Sequence, residues 1–267
     1  MQSLDDQSSM RGEAQYREAL APVTECMLAL AGLAAGERVL DIGSGAGEMA
    51  LLAAERVGAT GFVVATDISL AQMTGLVERR QALPVPDRLV IEETAAEDLT
   101  PEPDSFDVAL ARNCLMYFRD LPDAVRKIRA ALRPGGRFVA SIYGSLEREP
   151  FHAVPIAVVE RRRAIGAPLP EYVQAFRVGR VEVERAVVAA GFRDIRSCVV
   201  ATSRHYPSGA AAIVLLRSSP SLNELLSLLP ELERDDAWNE IADGFAAYET
   251  SAGLKLPGEQ LVITGIA

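Results

Sequence analysis

Short apolar runs separated by amphipathic stretches predict an α/β fold, a mostly parallel sheet covered by helices on both faces. Three observations carry this. ERVLDIGSG and GFVVATDIS are continuous apolar runs that end in an acidic residue and a turn, as strands buried on both faces do. Leu121, Val125, Ile128 and Leu132 share one face of a helix that Pro134-Gly135-Gly136 stops before the next apolar run. The chain has 267 residues, about half of them apolar, enough for one domain with insertions.

The elements follow in order. Tyr16, Leu20, Val23, Met27 and Leu30 fall on one helical face, and Pro22 predicts a break, with a second helix from near Ala21. The strand through Asp41 enters a glycine turn and a helix over Glu48 to Val57. The strand through Asp67 precedes a helix capped by Ser69. Strands follow at Arg88 to Ile91, Phe106 to Ala111 and, after the Leu121 helix, Arg137 to Tyr143. Beyond Tyr143 the pattern is irregular: a helix over Phe151 to Ile165, a Pro-containing connection, a helix over Val181 to Ala190 and a strand over Asp194 to Ala201. Helices over Leu222 to Leu229 and Asp236 to Tyr248 precede a last strand, Leu261 to Gly265. Ligands of such sheets bind at the carboxyl ends of the strands, so Asp41 to Gly47, Asp67, Ala95 to Asp98 and Arg112 to Tyr117 should converge.

Composition excludes several classes. A net charge of −10 argues against nucleic acid, no apolar run is long enough to cross a bilayer, and the polar, acidic start MQSLDDQSSM does not read as a signal peptide. A cytoplasmic protein is expected. Cys26, Cys114 and Cys198 form no C-x-x-C pair and read as small buried hydrophobes, with neither disulfide frame nor metal site.

Asp41-Ile42-Gly43-Ser44-Gly45-Ala46-Gly47 is the sharpest motif, a backbone turn that approaches a ligand at a helix N-terminus. Gly45 to Ala50 also fits the dinucleotide pattern G-x-G-x-x-A, with Asp67 twenty residues after Gly47. The first glycine of that match comes late, and a carboxylate at the strand end suits a cationic ligand better than a pyrophosphate.

With VLDIGSGAGEMA, ATDIS, TAAEDLTPEPDSFDVALARNCLMYFRD and LPDAVRKIRAALRPGGRFVAS in this order, the sequence resembles the class I, Rossmann-like S-adenosylmethionine-dependent methyltransferases. The nearest likeness is to the small-molecule group that includes quinone-biosynthesis C-methyltransferases and natural-product enzymes. The resemblance implies a mostly parallel seven-stranded sheet. It also implies an N-terminal helical lid (1–35), a cofactor core (36–143, continued at 181–206 and 259–267) and helical insertions at 144–180 and 207–258 that roof the site. By position, Gly43, Ser44 and Gly45 would pass under the methionine part of the cofactor, with Asp41 near its ammonium. Asp67 would take both ribose hydroxyls, Ile68 and Met73 would pack on adenine, and Ala95, Ala96 and Glu97 would meet its edge. Arg112 would contribute main-chain contacts, and Tyr16 resembles a lid residue. One departure is Thr94-Ala95-Ala96 where the family often has Gly-Asp-Ala, so the aspartate that accepts from the adenine amino group is absent.

The resemblance implies methyl transfer to carbon or oxygen of a small hydrophobic metabolite by in-line displacement, with S-adenosylhomocysteine as the other product. Among candidate bases His152 is the better placed, while His205, Asn113, Tyr117, Tyr143 and Phe151 are candidates for the acceptor pocket. Arg161-Arg162-Arg163 reads better as a solvated helix face than as an anion site, and Trp238, Phe245 and Tyr248 as packing. Two other readings stand beside it: a cyclase or isomerase that binds the cofactor without consuming it, and a nicotinamide-dependent oxidoreductase. A small molecule is the expected partner, with no nucleic acid or membrane, and a homo-oligomer is left open.

Overall fold

The computed structural model of the protein describes residues 4–100, 102–163 and 168–267. The chain opens with α1 (Leu4–Ala31), followed by β1 (Arg38–Ile42), α2 (Glu48–Val57), β2 (Phe62–Asp67), α3 (Thr74–Arg80), β3 (Leu89–Glu93), β4 (Phe106–Arg112), α4 (Leu121–Ala131) and β5 (Leu132–Tyr143). Then come α5 (Pro150–Arg162), α6 (Glu171–Gln174), α7 (Arg180–Ala189), β6 (Arg193–Tyr206), α8 (Gly209–Leu216), α9 (Pro220–Leu226), α10 (Glu231–Phe245), β7 (Glu249–Thr250) and β8 (Gly253–Ile266). The chain divides into two units. A sheet unit comprises Val23–Ile142, Val178–Val200 and Leu261–Ala267; a helical unit comprises the chain up to Pro22, Tyr143–Arg177 and Ala201–Gln260.

The strand order is β3-β2-β1-β4-β5-β8-β6, with β7 paired to β8. The four neighbouring pairs from β3 to β5 are parallel. Gly136 bonds with Ala267 and Gly144 with Glu259, so β8 runs antiparallel to β5. The chain builds outward from β1 to β3 and then returns to place β4 on the other side of β1. That reversal between β1 and β4 is the switch point at which such sheets bind ligands. Val39, Leu40, Val63, Ala65, Val108, Leu110, Phe138 and Val139 are all buried, which is why these runs do not alternate in polarity. Met49, Ala53 and Val57 of α2 are buried with them, as are Val125 and Ile128 of α4 and Val183 and Val187 of α7.

Several local expectations are corrected. α1 is continuous through Pro22. Burial of Leu20 on one side of the proline, and of Val23 and Met27 on the other, outweighs the one hydrogen bond a mid-helix proline removes. The helix after β2 starts at Thr74 rather than Ser69. The Ser69 amide donates to the Asp67 carboxylate at 3.2 Å, and turns then occupy the chain to Met73. Pro134-Gly135-Gly136 does not end α4, which stops at Ala131; these residues lie within β5, where Gly135 and Gly136 bond to Ala267. β6 and β8 have 14 residues each, longer than expected, because each continues from the sheet unit into the helical unit. The run Ala210 to Leu216 belongs to a helix, α8, that the sequence pattern did not reveal. α5 ends at Arg162, and the end expected for it, Ile165, lies outside the described residues. Cys26 and Cys198 are not buried: Cys26 is half-buried, Cys198 exposed, and their sulfurs lie 3.9 Å apart.

Arg137 ties α1 to the sheet within the sheet unit. Its guanidinium donates to the Ala31 carbonyl at 2.6 Å and to the Glu37 carboxylate at 2.7 Å. Hydrogen bonds to charged partners away from water are each worth about 1.5–3 kcal/mol. Arg137→Ala is expected to cost about 2 kcal/mol in a denaturant titration, and an unchanged midpoint would show that the clamp contributes nothing.

Candidate functional site

In the sheet unit, the carboxyl ends of β1, β2 and β4 bring the motif residues together. Asp41 is the fourth residue of β1, and the turn after it is held by three bonds. The Ser44 amide donates to the Thr66 carbonyl at 2.9 Å, the Ser44 hydroxyl to the Asp41 carbonyl at 3.0 Å, and the Gly45 amide to Asp67 Oδ2 at 2.9 Å. Asp67 ends β2, and its carbonyl accepts from the Thr94 amide at 2.8 Å, which fixes the loop leading to Ala95 and Ala96. The glycine loop and the acidic end of the second strand are therefore one bonded assembly.

Gly43 has φ +64°, and a Cβ there would lie 2.4 Å from Cys114 Cβ. Gly45 has φ +51°, but a Cβ would meet nothing within 4 Å. The first glycine is thus required by packing, while the second leaves open space beside the loop.

Asp41 is buried, and its Oδ2 has no hydrogen-bond partner among the described residues. Burial pushes this carboxyl up to about 7; hydrogen bonds from Ser44 and Ala50 and the Arg112 charge pull it down, while the Asp67 charge adds to the rise. An unfolded aspartate ionises near 3.9. The folded chain therefore holds a proton that the unfolded chain has lost, and stability falls as pH rises from about 4 to about 7. Arg112 does not neutralise Asp41. Its guanidinium is engaged by Glu48 at 2.6 Å and by the Thr24 hydroxyl at 2.7 Å, an ion pair invisible to spacing because it joins β4, α2 and α1.

Asn113 follows with φ +55°, strained for a residue with a side chain. Its amide donates to the Ser141 carbonyl and its Oδ1 accepts from the Ser141 hydroxyl at 3.1 Å, yet Nδ2 is buried with no partner among the described residues. The other expected residues divide. Ile68 is 72% exposed, Met73 is fully buried in the core, and Ala96 is buried. Glu97 Oε1 accepts from the amides of Arg119 and Asp120 at 2.6 and 3.3 Å, so its side chain holds the loop before α4. Tyr117 closes the short turn over Leu115–Tyr117.

The helical unit holds a second group of expected residues. His152 on α5 is buried among rings: Phe151 at 4.8 Å, Phe176 at 5.2 Å, Tyr143 at 5.3 Å and Tyr172 at 6.2 Å between centroids. Burial, then the Arg204 charge, pushes its imidazole down to about 3. Tyr172 and Arg204 were not singled out from sequence, because nothing local marks them as neighbours of His152. His205 is placed apart from these rings, exposed on β6 with its ring 2.8 Å from the Ser203 hydroxyl. Tyr16 is partly exposed and has the Arg204 guanidinium 5.6 Å from its ring centre. Arg161 and Arg162 pair with Glu240, so the basic run is a helix-to-helix clamp. Trp238 and Phe245 are packed in the core. Among the described residues no acid, cysteine or histidine cluster could hold a metal, and no helix is long and apolar enough to cross a membrane.

Gly43→Ala is expected to lower the melting temperature several degrees more than Gly45→Ala, since both carry backbone strain of about 1 kcal/mol but only the first adds overpacking of about 1–3 kcal/mol. Equal losses would contradict the packing assigned to Gly43.

The family described as Methyltransferase domain matches residues 39–136. The chain is 34% identical over 191 residues to 27-O-demethylrifamycin SV methyltransferase of Amycolatopsis mediterranei, covering 68% of this chain and 65%, just under two thirds, of that enzyme. It is 30% identical over 196 residues to 2-phytyl-1,4-naphtoquinone methyltransferase of Synechococcus elongatus, covering 68% of this chain and 78% of that enzyme. The YcgJ protein of Bacillus subtilis shares the fold with a TM-score of 0.60 at 19% identity, over 91% of this chain and 97% of that one. The nicotinamide reading of the glycine loop falls with these matches. The chain belongs to the class I S-adenosylmethionine-dependent methyltransferases.

Proposed function

We propose that this protein transfers the methyl group of S-adenosylmethionine to a carbon or oxygen of a small, largely hydrophobic metabolite. The observation that carries the reading is the pair of unsatisfied buried groups at the switch point, Asp41 Oδ2 and Asn113 Nδ2, beside the Asp67 carboxylate. A buried carboxylate oxygen without a donor is costly, and a ligand ammonium relieves that cost. These residues fit the family's cofactor, which when bound supplies a methyl on a sulfonium with a good leaving group.

Asp41 would hold the ammonium, the turn Gly43-Ser44-Gly45 and the Arg112 main chain would lie under the methionine part, and Asp67 would take both ribose hydroxyls. Exposed Ile68 would cover adenine with Met73 beneath it in the core, and Ala95, Ala96 and the Glu97 main chain would meet its edge. Tyr16 is the proposed lid residue. Asn113, Tyr117, Tyr143, Phe151 and His205 remain the proposed acceptor contacts.

His152 was the expected base. An imidazole pushed down to about 3 accepts a hydrogen bond but takes a proton only weakly. That favours an acceptor whose nucleophile is already electron-rich, a carbon or an acidic phenol, over an alkyl alcohol. The names of the relatives, one acting on a demethylrifamycin and one on a phytyl naphthoquinone, support an acceptor from natural-product or quinone metabolism. The three free cysteines fit a cytoplasmic setting, and the net charge of −10 fits a small-molecule rather than a nucleic-acid partner.

Calorimetric titration with S-adenosylmethionine tests the reading. Asp67→Ala should weaken binding by about 10–100-fold, the worth of hydrogen bonds to a charged group. Wild-type protein that gives no binding heat, or a variant that binds equally well, would contradict it.

A further inference from the structure

We infer that the helical unit holds a subsite for a planar aromatic molecule carrying both a hydroxyl and an acidic oxygen, the hydroxyl meeting His152 and the anion meeting Arg204. The subsite is read as the acceptor's because the protein is read as a methyltransferase, but the groups that form it are independent of the cofactor site.

The first observation is His152. The residue is 8% exposed, and neither Nδ1 nor Nε2 has a hydrogen-bond partner among the described residues. A neutral imidazole carries one N–H donor and one acceptor nitrogen, and leaving both unmade inside the protein is costly. A ligand hydroxyl relieves part of that cost, since it can donate to the bare nitrogen or accept from the N–H. The aromatic walls, Phe151, Phe176 and Tyr143 within 5.3 Å of the His152 ring, add flat apolar surface.

The second observation is Arg204. Among the described residues its half-buried guanidinium has no carboxylate within ion-pair distance; it lies 4.0 Å from the centre of the Phe151 ring, which also meets His152 edge-on. Its charge reaches His152, Glu149 and Tyr206. Glu149 is the acid nearest to cancelling it, but one of its oxygens accepts the Glu259 amide at 2.8 Å, and burial raises its carboxyl to about 7. Arg204 is therefore a cation with its guanidinium over an aromatic ring and, among the described residues, no carboxylate partner, an arrangement that receives a planar anion well.

The experiment uses the full chain and three fluorescent probes that share one ring system: 3-hydroxy-2-naphthoate, 2-naphthol, which lacks the carboxylate, and 2-naphthoate, which lacks the hydroxyl. The hydroxy acid should bind about tenfold or more tightly than either of the others. Arg204→Gln should erase its advantage over 2-naphthol, and Arg204→Lys should keep part of it. His152→Phe should erase its advantage over 2-naphthoate. Equal binding of the three probes by wild-type protein, no binding of any, or an advantage that survives Arg204→Gln in protein with an unchanged melting temperature would each overturn the inference. A parallel titration with S-adenosylmethionine keeps the two readings apart: its failure removes methyl transfer, whereas probe selectivity alone decides the subsite.

Discussion

Two aspartates held almost out of water at the ends of adjoining parallel strands are the constraint on which the rest of the candidate site depends. Asp41 and Asp67 are 1% and 7% exposed, and β1 and β2 pair in register up to Ile42 and Thr66. The glycine turn runs between them because the Gly45 amide needs Asp67 and the Ser44 amide needs Thr66. Asp67 is thereby satisfied by backbone, while one oxygen of Asp41 is not. The nearest cation cannot make up the deficit, since Arg112 is already committed to Glu48 and Thr24. The proposed ligand completes an electrostatic arrangement that the fold leaves incomplete.

The helical unit follows a different logic. Its polar groups are a neutral imidazole among rings and a guanidinium over a ring, with a carboxyl raised to about 7 beside them. Groups of this kind orient and select an acceptor more readily than they remove a proton from it, which agrees with a reaction whose driving force lies in the leaving group. The proposed methyl transfer would ask the protein mainly for alignment and exclusion of water.

The sequence made legible what is local. α2 has the bounds expected of it, and β1 and β2 lie within the apolar runs read as strands, since continuous apolar runs and a glycine turn are short-range signals. The strand-end carboxylates were found for the same reason. Missing were features that depend on partners far along the chain: the Arg112–Glu48 pair, the use of Glu97 as a loop brace, the placing of Tyr172 and Arg204 beside His152, and the approach of Cys198 to Cys26. Ser69 misled because a serine before a helical pattern resembles a cap, whereas Asp67 takes its amide for a turn. β8 ran longer than the expected Leu261 to Gly265 because pairing with β7 and the bond between Gly144 and Glu259 extend it through Pro257 and Gly258.

The most direct measurement of the central claim is the number of protons exchanged when S-adenosylmethionine binds, obtained by calorimetry at pH 6 in two buffers of different ionisation enthalpy. With its carboxyl raised to about 7, Asp41 is mostly protonated at that pH in the free protein and must ionise to pair with an ammonium. The account predicts release of close to one proton per cofactor bound, and almost none from Asp41→Asn. Binding without proton release by the wild-type chain, or undiminished release by the variant, would contradict it.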